Sequence, residues 1–303
     1  MKKKILCFIS TFIFLICLSF TSIYAIEDNQ VVRLVIDFNN NGELPNSFRK
    51  TSDKINPTNN IPSLKGLKEL NASGSSEFTF NSIDIIKNSI GKKFTVVDLR
   101  QESHGFLNGS AISWMGLRDN LNKGLSPKEV VAAEKKLLSS ITINEPVTPY
   151  NSPGPIIANE VYDEKHLVEN KGLDYIRIPV TDGERPTDEA VDFFISFVNS
   201  LSKDSWLHFH CKEGIGRTTT FLAMYDMIRN SKDVSFEDII FRQFLLGSEN
   251  LILERGPEES KRTEFLKNFY SYTKEYKDNY KTSWSQWIKS KNITPYMGCK
   301  CTD

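Results

Sequence analysis

Five residues separate a cysteine from an arginine in the segment His210–Thr218, which reads HCKEGIGRT. A cysteine thiolate is a strong nucleophile that forms covalent intermediates, and a guanidinium offers a planar pair of donors to two phosphate oxygens. Lysine cannot match that geometry. The spacing therefore predicts hydrolysis of phosphate esters, with Cys211 as the nucleophile and Arg217 as the residue that holds the phosphate.

The other residues of this segment fit the same chemistry. Gly214 permits the unusual backbone angles that a curled phosphate loop needs. We expect Thr218 to donate its hydroxyl to the departing thiolate and His210 to support the loop through a ring N–H. A lone buried cysteine is usually inert packing, but the glycines, arginine and threonine around this one favour catalysis. The backbone N–H groups expected to surround the anion belong to Lys212, Glu213, Gly214, Ile215 and Gly216.

Two secondary-structure elements must position the loop. Residues 206–210 (WLHFH) are apolar and aromatic, which indicates a buried strand, and the residues from Thr218 onward (TTTFLAMYDMIRN) have apolar side chains at helical spacing. The loop therefore leads from a strand into the N-terminus of a helix. Helix N-termini carry partial positive charge, which attracts phosphate and favours the thiolate form of Cys211.

A second loop supplies a candidate general acid, which must protonate the leaving oxygen and later activate water. The segment Tyr175–Val180 indicates another buried strand, and TDGERP follows it before a helix begins near Thr187. Asp182 directly follows the strand and Gly183 provides a hinge, so we predict that Asp182 is the acid. Glu184 is the competing acid. The alternative for Asp182 is a turn residue that hydrogen-bonds its own backbone.

Segments elsewhere in the chain extend the pattern beyond the loop. They read PNSFRKT at 45–51, LNASGS at 70–75, VDLRQESHGFLNG at 97–109 with Ser113-Trp114 after it, and SWSQWIK at 283–289. Together with the cysteine loop, they resemble the protein tyrosine phosphatase-like inositol polyphosphatases, also called cysteine phytases, over about residues 45–289. The 97–109 segment is the most specific, because ordinary tyrosine phosphatases lack it.

This resemblance implies an α/β fold with a protein tyrosine phosphatase-like core, in which helices flank a central sheet. It also implies a small, partly barrel-like β subdomain at roughly residues 109–172, completed by N-terminal residues. The implied activity is hydrolysis of phosphomonoesters of myo-inositol polyphosphates such as phytate, through a phosphocysteine intermediate. Because thiolate attack needs no ion, and no His, Asp or Glu cluster has metal-ligand spacing in the sequence, we expect no metal and no cofactor.

Polar side chains around the loop are candidates for binding the other phosphates of a polyphosphorylated small molecule. Lys212 is the first, since its place in the phosphate loop gives it little other reason to be basic. Asp98 is counted with them, although it is better suited to orienting His104 or an arginine. His166 and His208 are interpreted as structural. Simple solvation is the alternative for the further candidates, which are Arg49, His104, Arg185, Lys261 and Arg262.

Length and charge restrict the remaining possibilities. The chain has 303 residues, is 39% hydrophobic and 25% charged, and carries 38 basic and 38 acidic residues. These values are typical of a globular enzyme, and the lack of net positive charge argues against a nucleic-acid partner. We expect residues 26–303 to form one phosphatase domain with its small subdomain.

Further helices and strands are predicted from the sequence pattern. Helices are expected at about residues 78–90, 187–202, 217–230, 235–246 and 258–280. The capping box of Ser126 and Glu129 begins another helix, which continues through Leu138. Short β-like runs are expected at 142–147 (TINEPV) and 156–163 (IIANEVYD).

The first 25 residues have the pattern of a signal peptide. Three lysines at positions 2–4 precede an apolar run from Ile5 to Phe20, and the small residue Ala25 ends the segment. We predict cleavage after Ala25 and a secreted or other extracytoplasmic location. The alternative is an uncleaved anchor, which needs about 20 apolar residues. No later segment is expected to span a membrane.

Five cysteines are present, and two of them, Cys7 and Cys17, belong to the predicted signal peptide. Cys299 and Cys301 form a pair near the C-terminus, whose interpretations are a small strained disulfide, a frayed tail or a weak metal clip. Cys211 is then the expected catalytic thiol.

Three functions of different classes fit these features. The first is the exported inositol polyphosphatase, and the second is a secreted protein tyrosine phosphatase. The second would need a deep aromatic slot, and no tyrosine-recognition segment precedes the loop. The third is a non-catalytic phosphate-binding module, which the presence of both a nucleophile and an acid disfavours. The sequence does not predict the oligomeric state.

Overall fold

The computed structural model describes residues 32–116, 121–252, 256–276 and 280–298. The predicted signal peptide and the pair Cys299 and Cys301 lie outside the described residues. The strands in these ranges are β1 (Arg33–Phe38), β2 (Arg49–Lys50), β3 (Ala72–Ser75), β4 (Thr95–Arg100), β5 (His104–Leu107), β6 (Ser110–Met115), β7 (Pro146–Val147), β8 (Ile156–Ile157), β9 (Val161–Tyr162), β10 (Asp174–Val180) and β11 (Leu207–His210). The α-helices are α1 (Ser82–Ile90), α2 (Pro127–Leu138), α3 (Glu164–Asn170), α4 (Asp188–Ser200), α5 (Gly216–Asn230), α6 (Phe236–Leu245), α7 (Pro257–Glu275) and α8 (Trp284–Ser290).

The central sheet has the strand order β10-β4-β11-β3-β2. Its first four strands run parallel, and the short edge strand β2 runs antiparallel to β3. At the end of the middle strand, His210 pairs with Asp98 on one side and Ser75 on the other. In open α/β sheets, ligands bind beyond the carboxyl ends of the strands. That edge here carries the phosphate loop (residues 211–217) and the acid loop (residues 181–186).

Alternate residues of the sheet face two different apolar cores, because side chains alternate along a strand. Leu207 and Phe209 pack with the large core formed by α4–α8, whereas Trp206 belongs to a second core with Phe78 and Phe106. Helix α5 is buried from its second residue through most of its length, since it packs against β3, β11, α6 and α7. A helix that is enclosed in this way gives the phosphate loop a fixed support.

A second sheet of order β1-β6-β5-β9 is antiparallel, and β7 and β8 form a separate two-stranded ribbon. The stretch 109–172, which the sequence assigns to a small β subdomain, contributes β6–β9 together with α2 and α3. Helix α3 follows the second of the two β-like runs expected here, 142–147 and 156–163, which contain β7, β8 and β9. Its start is fixed by Asp163, whose side chain accepts a hydrogen bond from the His166 N–H at 2.8 Å.

The predicted α/β architecture is correct, and most predicted boundaries lie within a few residues of the structure. The capping box of Ser126 and Glu129 makes both of its hydrogen bonds. The helix expected at 78–90 begins instead at Ser82, because Thr79 and Ser82 bond to each other in a turn. The helix expected at 258–280 ends at Glu275. Among the described residues, no helix is both long enough and apolar enough to cross a bilayer.

Candidate active site

Cys211 begins the phosphate loop and is buried, with 2% of its surface exposed. The Thr218 hydroxyl donates a hydrogen bond to the Cys211 sulfur at 3.2 Å. Because Thr218 lies in the first turn of α5 and Cys211 directly follows β11, the strand and the helix together fix this distance. The structure thus brings together the nucleophile and the hydroxyl donor that the sequence predicts.

Gly214 sets the curvature of the loop. Its φ is +74°, and a Cβ atom at this position would lie 2.2 Å from the backbone nitrogen of Ser76 and 2.3 Å from the carbonyl carbon of Ser75. The loop therefore packs on the backbone at the end of β3 more closely than any other residue type allows.

Arg49 braces the same loop from within the protein. Its Nη1 donates hydrogen bonds to the Gly214 carbonyl at 2.9 Å and to the Ser47 carbonyl at 2.8 Å, and its Nη2 donates to the Thr219 hydroxyl at 3.0 Å. Burial lowers the pKa of Arg49 to about 10, while the nearby Cys211 opposes the shift. The structure therefore places this substrate-binding candidate behind the loop, where its fork holds backbone and a hydroxyl.

Arg217 is buried at the end of the loop, and its guanidinium makes a bidentate pair with Glu102. The Nη1 and Nη2 atoms donate to the two Glu102 oxygens at 2.7 and 3.0 Å, and Nη1 also donates to the Val180 carbonyl at 3.0 Å. The Nη2 atom is 3.0 Å from Asp182 Oδ1. Within the described structure, the buried Nε of Arg217 has no hydrogen-bond partner. This orphaned donor is a group that an anion in the loop would satisfy.

Glu102 links Arg217 to a second buried arginine. Arg100 Nε donates to Glu102 at 2.8 Å, Nη2 donates to Asp37 at 3.1 Å, and Nη1 donates to Glu77. Burial alone would raise the pKa of Glu102, but Arg217 and Arg100 outweigh it and hold that pKa well below its usual range. Two cations thus share this carboxylate, which keeps it charged and keeps the Arg217 fork in one orientation.

Asp182 and Glu184, the two competing acids, have different surroundings in the acid loop. The Asp182 side chain is 58% exposed and meets Arg217. Glu184 is 10% exposed and is held by Lys123 at 2.7 Å and by the Tyr296 hydroxyl at 2.6 Å. Because an acid that releases and regains protons needs access to solvent and substrate, this difference favours Asp182.

Two histidines meet Glu164, the first residue of α3, behind the sheet edge. His210 Nε2 is 2.7 Å from Glu164 Oε1, and His104 Nε2 is 3.2 Å from Glu164 Oε2. Burial disfavours a charged His104, but the carboxylates of Asp98 and Glu134 outweigh it and raise the pKa of His104 to about 10. Both histidines are fully buried, so they are placed to support the phosphate loop and not to contact a substrate directly.

Asp98 lies at the centre of the same cluster. It accepts a hydrogen bond from the Tyr175 hydroxyl at 2.8 Å and is 3.1 Å from Arg177 Nε and 3.3 Å from His104 Nε2. Burial would raise its pKa, yet His104 and Arg177 hold the pKa of Asp98 below its usual range. The residue therefore orients a histidine and an arginine, as the sequence suggests.

Ligand atoms of Asp98, His104 and Glu164 lie within 4.8 Å of one another, close enough to share a metal ion. Sequence spacing does not reveal this group, because its members come from β4, β5 and α3. Each of the two carboxylates also has another partner, since Arg177 Nε lies 3.1 Å from Asp98 and His210 Nε2 lies 2.7 Å from Glu164.

The remaining cationic candidates differ in how they are placed. Lys212 Nζ is 3.4 Å from Asp37. Lys261 is exposed on α7. Arg262 is buried, and its Nη2 donates to the Gly183 carbonyl at 2.9 Å. Arg185 Nη1 lies 3.0 Å from Asp188 Oδ1, and the guanidinium lies over the rings of Phe265 and Tyr296.

The sequence analysis does not include Glu102, Glu164 and Arg177, which the structure places in contact with the candidate site. Glu102 had a signal, since it lies inside the 97–109 segment next to residues that were selected. Glu164 and Arg177 had none, because a Glu at the start of a helix and an Arg in a strand are common on surfaces. Their roles follow from burial, which only the folded chain shows.

Known proteins resemble this chain in sequence and in structure. A family model named PTP-like phytase, with the description inositol hexakisphosphate, matches residues 128–229. A protein tyrosine phosphatase-like myo-inositol phosphatase from Mitsuokella multacida, solved in complex with myo-inositol-(1,3,4,5)-tetrakisphosphate, is 35% identical with a TM-score of 0.82. The match covers 88% of this chain and 49% of that one.

Two other relatives differ in how much of their length is matched. A protein tyrosine phosphatase-like phytase from Bdellovibrio bacteriovorus is 31% identical with a TM-score of 0.72, over 85% of this chain and 95% of that one. The effector protein hopD2 of Pseudomonas syringae pv. tomato is 28% identical over 262 residues, which is 80% of this chain and 56% of that protein. The chain thus spans about half the length of the hopD2 and Mitsuokella proteins and nearly all of the Bdellovibrio protein.

Proposed function

This chain belongs to the protein tyrosine phosphatase-like phytases, and we propose that it hydrolyses phosphomonoesters of myo-inositol polyphosphates through a phosphocysteine intermediate. The observation that carries the proposal is the convergence of three groups at one sheet edge. The Thr218 hydroxyl donates to the Cys211 sulfur, and Arg217 Nη2 lies 3.0 Å from Asp182 Oδ1. A nucleophile, an anion-binding fork and an exposed acid are the parts that this chemistry requires.

In the first step, the Cys211 thiolate attacks phosphorus and the bond to the inositol oxygen breaks. Asp182 donates its proton to that oxygen, so that an alcohol leaves instead of an alkoxide. The product is a phosphocysteine and the dephosphorylated ring. In the second step, ionised Asp182 takes a proton from water, which attacks the phosphocysteine and releases inorganic phosphate. Thr218 stabilises the departing thiolate.

Arg217 holds the transferred phosphate through both steps. Glu102 accepts hydrogen bonds from both Nη atoms, so the unpartnered Nε is the donor that remains for the phosphate. Charge on the phosphate oxygens is redistributed as the bonds change, and fixed donors stabilise it without reorganising. The backbone N–H groups of the phosphate loop add to this stabilisation.

Non-reacting phosphates of the ring would meet the cations around the loop. Lys212 is best placed, because it belongs to the loop and retains partial exposure beside Asp37. Lys261 and Arg262 are the next candidates, since α7 packs near the acid loop through Arg262. The relative from Mitsuokella was solved with a tetrakisphosphate, which supports a substrate of this class.

Metal independence and export are further parts of the proposal. Thiolate attack needs no Lewis acid, so activity is expected to survive a chelator and to be lost on thiol alkylation. Export rests on the amino-terminal pattern of residues 1–25 and on the effector name of the Pseudomonas relative. Mass spectrometry of the mature protein would locate the cleavage, which is expected after Ala25.

The deciding experiment measures phosphate release from inositol hexakisphosphate and from a phosphotyrosine peptide side by side. We expect kcat/KM at least about a hundredfold higher for the inositol phosphate, because several cations contribute only to a polyphosphorylated substrate. The assay is repeated with EDTA. A preference for the peptide would instead support a tyrosine phosphatase, and a loss of activity in EDTA that added metal restores would contradict metal independence.

A further inference from the structure

The segment 293–298, which follows α8, contacts the acid loop and the start of α4 through Tyr296. The Tyr296 hydroxyl donates a hydrogen bond to the Glu184 carboxylate at 2.6 Å. Its backbone N–H donates to the Asp188 carboxylate at 2.5 Å, and its carbonyl accepts from the Asp188 N–H at 2.9 Å. Tyr296 is therefore fixed by its backbone to the first residue of α4, and its side chain reaches from there to the acid loop.

The ring of Tyr296 is also held. The Arg185 guanidinium lies 4.2 Å from the centre of the Tyr296 ring and 5.0 Å from that of Phe265, and Arg185 Nη1 donates to Asp188 at 3.0 Å. An arginine stacked on aromatic faces restricts their rotation as well as its own. The hydroxyl consequently has a defined position relative to Glu184.

Glu184 closes the turn that carries the acid. Its N–H donates to the Thr181 carbonyl at 3.1 Å, so Asp182 and Gly183 are the two central residues of a four-residue turn. The φ of Gly183 is +76°, which suits the third position of a type II turn. At the other end, the Thr181 hydroxyl donates to Gln101 at 2.5 Å. Asp182 thus projects from a turn that is fixed at both ends, by Gln101 at one and by Tyr296 and Lys123 at the other.

We propose that Tyr296 is a positioning residue for proton transfer, acting through Glu184 to hold Asp182 where it meets the leaving oxygen. This inference rests on the proposed role of Asp182 as the general acid. Loss of the hydroxyl leaves Glu184 with Lys123 and releases one of the contacts that fix the turn. Asp182 then spends less time in the productive position, and proton delivery slows while phosphate binding is retained.

The test compares two substrates that differ in their need for an acid. An inositol alkoxide is a poor leaving group that requires the proton, whereas 4-nitrophenolate is a stable anion that leaves without one. For Tyr296→Phe we expect kcat on inositol hexakisphosphate to fall about tenfold with KM unchanged, and kcat on 4-nitrophenyl phosphate to fall less than about twofold. Asp182→Asn is the reference and should show the same substrate dependence with a larger loss.

Two further variants complete the design. Tyr150→Phe is the matched control, because this tyrosine is 63% exposed and its ring lies against the Arg33 guanidinium instead of an acid-loop residue. It should leave both substrates unaffected. In the Asp182→Asn background, Tyr296→Phe should cause no further loss, since a residue that acts through Asp182 has nothing left to position.

Three results for Tyr296→Phe would each overturn the positioning role. They are an equal loss of kcat on both substrates, an unchanged kcat on inositol hexakisphosphate, and a further loss of kcat in the Asp182→Asn background. If Asp182→Asn itself lacks the substrate dependence, the acid assignment fails and this inference fails with it. Thermal unfolding of each variant is recorded, and a lowered midpoint with unequal losses on the two substrates still supports the proposal.

Discussion

The phosphate loop and the acid loop lie at the same edge of one sheet, but they are held in opposite ways. Cys211 and Arg217 are almost fully buried, and arginines and carboxylates surround them. Asp182 is 58% exposed, and the fixed contacts of its loop are made by neighbouring residues. In the proposed mechanism, the nucleophile needs a charged environment that does not change during the reaction, whereas the acid must exchange protons with water. The difference in support matches this difference in proposed chemistry.

The largest expected effect is the loss of the nucleophile itself. Cys211→Ser should reduce turnover of inositol hexakisphosphate to a trace, because an alcohol in the same loop does not ionise near neutral pH. Binding should persist, since the N–H groups and Arg217 are unchanged, and calorimetry with the same ligand measures it. Turnover well above a trace would show that another residue attacks phosphorus.

The same substitution at two glycines separates the loops directly. Gly214→Ala places a Cβ 2.2 Å from the Ser76 nitrogen, whereas Gly183→Ala places one with no atom within 4 Å, and both residues have positive φ. We expect Gly214→Ala to lower kcat/KM by about a thousandfold or more, because the phosphate loop must shift. Gly183→Ala should cost about threefold, from backbone strain alone.

Steady-state kinetics and a vanadate-binding measurement on both variants check this contrast. Similar losses at the two positions would mean that positive φ, rather than packing of the phosphate loop, determines the effect. If Gly214→Ala has wild-type activity, the phosphate loop has room to adjust, and the description of a closely packed loop is wrong.

The sequence predicts those parts of the candidate site that are local in the chain. Cys211, Arg217 and Thr218 lie within eight consecutive residues, so their chemistry is visible as a spacing. The strand and helix around them followed from periodicity. Apart from Glu102, which lies in the 97–109 segment, the network that fixes them is not visible in the sequence, because Arg177 and Glu164 come from distant elements and become neighbours of the site only through packing.

The same limit explains the cationic candidates. Arg49 and Arg185 were selected for charge and position in the chain, which say nothing of where a guanidinium points. Arg49 turns to the Gly214 carbonyl, and Arg185 turns to Asp188. Lys212 is different, since a residue inside the phosphate loop cannot be far from it.

Two substitutions in the acid loop give the next effect. Asp182→Asn should lower kcat on inositol hexakisphosphate about a hundredfold and flatten the alkaline side of the pH profile, because no group remains whose deprotonation stops the reaction. Glu184→Gln should cause a smaller loss and keep the alkaline limb, since Glu184 is paired with Lys123 and Tyr296. Rates measured from pH 4 to 8 distinguish them. If the limb disappears in Glu184→Gln instead, the acid has been misassigned.

The smallest effect concerns stability and belongs to the cluster behind the phosphate loop. The pKa of His104 is about 10 in the folded protein and 6.5 ordinarily, so between these values the folded state holds a proton that the unfolded state has lost. The stabilisation that this proton provides is fully present below pH 6.5 and is lost as pH rises towards 10. Urea unfolding at pH 6, 7.5 and 9 should therefore show falling stability.

His104→Gln should lower stability most at pH 6 and weaken its fall with pH, because the neutral amide cannot replace the imidazolium between Asp98 and Glu164. His166→Gln is the control, as this histidine is exposed on α3 and should keep the wild-type slope. Asp182→Asn should keep it as well, since the acid loop takes no part in this cluster. If the stability of His104→Gln falls with pH as steeply as that of the wild type, other groups cause the pH dependence. A charged His104 would then not be part of what supports the phosphate loop.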